Sequence, residues 1–201
     1  MYLPSHFKGD RAQASALITE NPFASLISVD DGGLPYVTHL PLHLEDGDGQ
    51  MLLLGHVAKA NPHWRYLQAR PQAVVTFLGP HAYLSPKVYP DLARVPTWNY
   101  LAVHCTVQAT LIEDPAGKDA LLKKLIGDHE PPYADQWRGL GGDFAHKMLA
   151  GIVAFELQVT DLQCKLKLNQ HRPEARAAMQ ATYSVGSPNE QALAIWMDRL
   201  T

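Results

Sequence analysis

Cysteine is almost absent from this chain: Cys105 and Cys164 are the only two in 201 residues. Their separation matches neither a CxxC redox pair nor a zinc cluster, so no disulfide framework is expected and a reducing compartment is the simplest reading. No apolar run approaches the roughly 18 residues that a helix needs to cross a bilayer. The first ten residues carry Pro4, His6 and Lys8 where a secretion signal would need about 7 to 15 apolar residues. Together these features predict a cytoplasmic protein with no membrane role. Neither sign of charge dominates. Lys and Arg number 17 against 20 Asp and Glu, giving a formal charge of -3 and a pI near 6.3 and removing any global pull toward nucleic acid or anionic lipid. GxGxxG, GxSxG and HExxH are all missing, as is a cysteine–histidine pair placed for covalent chemistry. His39, His43 and His56 lack a carboxylate companion, so no metal site is expected.

The composition that remains, 46% hydrophobic and 18% charged, is that of an ordinary globular chain long enough to bury a core. Asp10 reads as the cap of a helix over 11–20 with Ala14, Leu17 and Ile18 on one stripe. The period then changes to two. Runs at 23–29, 35–44 and 50–57 read as strands, separated by Asp30-Asp31-Gly32-Gly33 and Asp46-Gly47-Asp48-Gly49 as hairpin turns. Within 35–44, Tyr36, Thr38, Leu40 and Leu42 alternate with Val37, His39, Pro41 and His43, so one face directs imidazoles outward.

Downstream, 61–68 predicts a short helix, 72–78 a strand, and the proline-containing stretch 79–95 an irregular loop with one short strand at 82–84. A long strand over 97–113 is followed by Asp114-Pro115 and a helix over 116–128. Residues 130–142 read as a connector with at most one helical turn, then a short helix near 143–149 and two strands, 151–159 and 162–168. Helices over 174–183 and 189–200, hinged at Gly186-Ser187-Pro188, complete the chain. The fold class is mainly β with inserted helices (α+β): a six- to seven-stranded antiparallel, closed or nearly closed barrel with C-terminal helices. Residues 1–171 would form the barrel domain and 172–201 a helical extension packed on it.

Three stretches have unusual composition. His56 to Trp64 reads as a strand end, a cationic turn and a helix start, a place for an anion; 81–89 and 95–100 mix rings with hydroxyls, amides and imidazoles beside prolines, as a planar ligand requires. Met1-Tyr2, Pro4, His6-Phe7, Asn21-Pro22-Phe23-Ala24, Thr38-His39-Leu40-Pro41, 55–64, 79–89, 95–104 and 165–173 are motifs that run nearly end to end. In that order the chain resembles the PaiB family, described as FMN-binding and as negative transcriptional regulators, within the FMN-binding split-barrel group of pyridoxamine-phosphate-oxidase-like proteins.

The resemblance implies FMN as cofactor, held between the two subunits of a homodimer. Lys59 is the first candidate for the phosphate, aided by helix N-terminal amides from Asn61 onward, with His56 in the same motif. Thr38, His39 and Leu40 would serve the flavin edge, Thr97, Trp98 and Asn99 a ring wall, and Lys167 and Gln170 would reach in from the last strand; Tyr83 and Ser85 belong to the aromatic loop. The sequence singles out no catalytic residue. The regulator reading needs a DNA-binding element, but 172–201 balances Arg172, Arg176 and Arg199 against Glu174, Glu190 and Asp198, and 189–200 reads as a packing helix, which gives direct operator binding no support. The alternative is a flavin-dependent oxidoreductase using NAD(P)H or a small substrate without DNA contact.

Overall fold

Turn chemistry and capping fix the first elements. In the computed structural model, which describes residues 1–91 and 93–200, strand β1 (Lys8–Gly9) leads into helix α1 (Arg11–Glu20). Asp10 Oδ1 accepts from Gln13 N at 2.8 Å while Gln13 Oε1 accepts from Asp10 N at 2.9 Å, a reciprocal cap that satisfies two backbone donors. Strands β2 (Phe23–Val29) and β3 (Pro35–Pro41) pair antiparallel, with Asp30 Oδ1 accepting from Gly32 N and Leu34 N across the turn. Strands β4 (His43–Gly47) and β5 (Gln50–Ala58) are joined by Asp48 at φ 49° and Gly49 at φ 79°, the left-handed pair that a two-residue hairpin demands.

Helix α2 (His63–Ala69) and strands β6 (Gln72–Leu84) and β7 (Thr97–Ile112) follow. Helix α3 (Pro115–His129) starts as its sequence predicts, Asp114 Oδ1 accepting from Gly117 N at 2.7 Å with Pro115 in the first turn. Then come α4 (Tyr133–Gly139), α5 (Gly142–Ala150), β8 (Ile152–Lys167), α6 (Arg176–Ser184) and α7 (Pro188–Arg199), the last opened by a Ser187/Glu190 capping box. Among the described residues there are eight strands and seven helices. The sheet runs β3-β2-β6-β7-β8-β5-β4, with β1 added on β8. Its two end strands, β3 and β4, are consecutive in the chain and separated only by Leu42. The expected mainly β, split-barrel α+β class holds, with eight strands among the described residues where six to seven were expected, because the short β1 and the separate β4 add to the sheet.

The chain divides into two compact units: Met1–Glu20, Leu78–Val103 and Gln163–Thr201 form one, Asn21–Phe77 and His104–Leu162 the other. In the first, Leu17, Ile18, Leu101, Met179, Tyr183 and Trp196 are buried, and Glu20 accepts from Trp196 Nε1 and pairs with Arg199. In the second, Leu54, Leu121, Leu125 and Ala154 form a cluster flanked by Ile112 and Leu122. Each fully buried leucine contributes about 1.5–3 kcal/mol relative to exposure.

Several boundaries differ from those expected. The run 35–44 is two strands broken at Leu42, whose N–H bonds Pro22 O at 3.0 Å instead of continuing a ladder. Strand β6 passes through Gly79 and Pro80 to Leu84; its ladder with β2 covers Val74 to Thr76, so the proline lies beyond that pairing. Leu92, in the rest of the expected loop, and Thr201 lie outside the described residues. The two predicted strands after residue 151 are one, β8, whose first part pairs with β5 and whose last residues pair with β1. Residues 130–142 hold more helix than expected, because Trp137 Nε1 anchors α4 on Asp119 of α3 at 2.9 Å.

Candidate functional site

In the second unit, strand alternation sorts the Thr38 motif. Thr38 is half-buried and Leu40 buried, whereas Val37 and His39 are exposed on the opposite face. Thr38 Oγ1 accepts from Asn61 Nδ2 at 3.1 Å and lies 2.7 Å from His63 Nδ1. Asn61 Oδ1 in turn accepts from His63 N at 3.0 Å and from the Tyr36 hydroxyl at 3.4 Å. The Tyr36 ring meets the imidazole edge-on at 5.1 Å and Tyr66 at the same distance. His63 is fully buried, and burial pushes its pKa down to about 4, so the ring is neutral. His63 Nε2 and His56 Nδ1 are buried and have no hydrogen-bond partner among the described residues, and burial lowers the His56 pKa as well. His39 faces away from this network, bonded to Ser25 Oγ at 3.0 Å and stacked near Phe23.

Lys59 is exposed just after β5, anchored by its N–H to Gly151 O at 2.8 Å and by its carbonyl to Trp64 Nε1 at 3.1 Å. It lines a cleft of about 240 Å³ with Pro115, Lys118, His146, Leu149 and Ala150. The dipole expected to help it is not built. Helix α2 begins only at His63, spans seven residues, and has its His63 N–H taken by Asn61 Oδ1.

In the first unit, the outward face of the strand ends holds His81 and Tyr83 on β6, Trp98 and Tyr100 on β7, and Lys165 and Lys167 on β8. Trp98 is 52% exposed and Tyr83 50%. Lys167 Nζ donates to Thr97 Oγ1 at 2.7 Å and to Trp98 O at 2.6 Å; desolvation, then the neighbouring Lys165, lower its pKa. Asn99 is not part of the wall. It is fully buried on the other face, its Nδ2 donating to the Tyr183 hydroxyl at 3.2 Å and contacting Met179 Sδ at 3.1 Å. Gln170 is spent locally, its amide bonded to Leu166 O and accepting from Leu168 N. Ser85 Oγ accepts from Lys87 N at 3.3 Å, capping a short turn. Sequence reasoning therefore missed Tyr36, His63, Tyr66, Tyr100, Lys118, His146 and Lys165. Three of these, Tyr36, Tyr100 and Lys165, stand two residues from named candidates on a strand, a spacing that signals a shared face.

Comparisons with known proteins place this arrangement. The sequence profile of a family described as "Putative FMN-binding domain" matches residues 1–161. Protease synthase and sporulation protein PAI 2 of Bacillus subtilis (strain 168), the PaiB protein, is 36% identical over 178 residues, covering 87% of this chain and 84% of that one. The chain belongs to the PaiB-type FMN-binding family. Two solved structures share the fold at low identity. They are the conserved hypothetical protein Rv2991 from Mycobacterium tuberculosis (TM-score 0.62, 13% identity, 94% of this chain and 99% of that chain) and the FAD and heme binding protein from Mycobacterium smegmatis (TM-score 0.59, 21% identity, 80% and 72%).

FMN is the cofactor of this PaiB-type chain, and its side chains fit that group. In the first unit the outward rings of Trp98 and Tyr83 are flat walls of the kind a flavin ring needs; in the second unit, taken by itself, Thr38, Asn61 and the imidazole nitrogens without a partner among the described residues are polar groups of the kind its edge needs. Its phosphate, close to two negative charges, needs cations, and Lys167 of the first unit and Lys59 of the second are groups of that kind. Bound FMN would supply electron and hydride transfer that no side chain of the chain provides.

Proposed function

We propose that the chain is a flavin-holding regulator of the PaiB type, in which two copies enclose FMN at their interface. The observation that carries the regulatory part is the 36% identity across most of both chains to a protein named for protease synthase and sporulation. Support for the paired state comes from the second unit. The outer face of β2, β3 and β6 exposes Val37 and Val74, which the registers Ile27↔Val37 and Ile27↔Val74 join through Ile27 into one apolar row, with exposed Val29 beside it on β2. In this reading Thr38, Asn61, His56 and Lys59, and Thr97, Trp98, Tyr83 and Lys167, are the cofactor-binding residues, and Lys59 meets the phosphate.

Regulation then runs through a protein partner. Helix α7 buries Leu193, Ala194, Trp196 and Met197, and Arg199 is paired with Glu20, which leaves little of the helix to read DNA. Residues 1–171 act as the flavin-binding domain and 172–201 as its helical extension. A flavin-dependent oxidoreductase is the second reading, favoured by the exposure of Trp98 and Tyr83, which leaves ring surface open to a second molecule.

Purified protein should show a flavin spectrum or take up FMN, and should sediment as a dimer; a colourless monomer that ignores added FMN refutes the proposal. Bleaching by NADH or NADPH separates the second reading from the first, and a promoter gel-shift at physiological salt should show no sequence-dependent shift. Lys59→Ala should weaken FMN binding by about 1–3 kcal/mol, the value of a charge-assisted hydrogen bond, measured by flavin fluorescence. Unchanged affinity takes Lys59 out of the site.

A further inference from the structure

In the second unit, the outward face of β2, β3 and the start of β6 is unusual for a surface that meets water. Strand alternation turns every second residue of 23–29, 35–41 and 72–76 to that side, where a solvated antiparallel sheet normally presents polar and charged side chains. Among the described residues of this face none is Asp, Glu, Lys or Arg. Ser25, Gln72 and Thr76 are its neutral polar positions, and His39 is the one side chain that ionises. The register sets His39, Ser25 and Thr76 in one row, directly beside the apolar row of Val37, Ile27 and Val74. Ser25 Oγ, 3.0 Å from His39 Nδ1, and the Phe23 ring, stacked at 6.4 Å, hold the imidazole on this face.

The strands supply no carboxylate to pair a protonated His39. Strand β2 and residues 72–77 of β6 contain no ionisable side chain. Helix α2 packs from the other side, where His63 meets Thr38, and the ionisable group of β5 is half-buried His56. At the rim, in the turn after β2, Asp31 is taken by Arg70 at 2.9 Å.

We propose that this face is a proton-sensitive contact between two copies of the chain, closed when His39 is neutral and loosened when it is charged. The inference rests on the paired-state reading and names how that pairing is regulated. In a two-fold contact each copy presents the same patch, so both His39 rings leave water together. Burial beside apolar rows penalises a charged ring and spares a neutral one. The dimer therefore binds fewer protons than two separate chains, and by linkage association weakens as pH falls. Histidine is the side chain whose charge changes between about pH 5 and 8, so the response belongs to that window.

Sedimentation equilibrium of the full chain at pH 8.0, 6.5 and 5.5 tests this with wild type, His39→Gln and His39→Arg. The wild-type dimer dissociation constant should rise roughly tenfold or more from pH 8.0 to 5.5. His39→Gln, whose amide can still bond Ser25 but carries no charge, should pair equally well at all three values. His39→Arg, charged throughout, should be dissociated already at pH 8.0. The acid response of His63 and His56 is common to wild type and both variants, so it drops out of the comparison. Wild type of constant affinity, a fall that His39→Gln shares, or a His39→Arg chain that pairs like wild type overturns the switch and leaves the pairing intact. Wild type that is monomeric even at pH 8.0 refutes the paired-state reading itself, and this inference with it.

Discussion

His63 shows how far burial can reverse a side chain's apparent role. In the sequence it belongs to a cationic turn; in the structure it is fully buried, neutral, and holds Thr38 and Asn61 in place. Its folded pKa of about 4 lies below the ordinary 6.5, so the unfolded chain takes up a proton that the folded chain refuses. The stability linked to His63 is therefore fully present above about pH 6.5 and is lost as pH falls toward about 4, by up to about 3 kcal/mol. His56, shifted in the same direction, adds to the same slope. Denaturant unfolding at pH 7.5, 5.5 and 4.5 should show this decline, and His63→Gln should flatten it; an unchanged slope would assign the acid sensitivity elsewhere. Asn99 carries a related lesson. It sits between Trp98 and Tyr100, yet strand alternation sends it to the core, where Tyr183 bonds it.

Strands are where the local signal and the pairing partner disagree. Gly79-Pro80 and Thr160-Asp161 look like breaks, but β6 and β8 continue through them because each long strand has more than one neighbour to pair with. Strand β5 depends on close approach as well as pairing. A Cβ on Gly55 would stand 2.4 Å from Leu42 Cδ2 and 3.4 Å from Phe155 Cε2, and Leu42 is itself buried. Gly55→Ala should destabilise by about 1–3 kcal/mol through overpacking, a fall in Tm of roughly 2–12 °C by calorimetry. No change in Tm would mean that Leu42 can move aside.

At the scale of the whole molecule, the exposed row of Val29, Val37 and Val74 around Ile27 is what the proposed dimer must cover. Val37→Glu would place an unpaired carboxylate in that contact and should raise the dimer dissociation constant tenfold or more, read by sedimentation equilibrium. A variant that remains as dimeric as wild type moves the interface to another face. No helix of the described residues is long and apolar enough to cross a membrane, in keeping with the short apolar runs of the sequence.

Caps, hairpin turns and the two-residue period were legible in the chain because each depends on neighbours in sequence. Asp10, Asp114 and Asp48-Gly49 act where they were expected to act, while Ser187, expected only as part of a hinge, caps α7. Motif order alone carried the family and its flavin, since several runs in sequence rarely coincide by chance. What only tertiary structure decided is which side chains of those motifs meet. Thr38 joined Asn61 and His63 while His39 turned outward, and Lys165 joined Lys167 over Tyr100, because burial and strand pairing act between residues far apart in the chain.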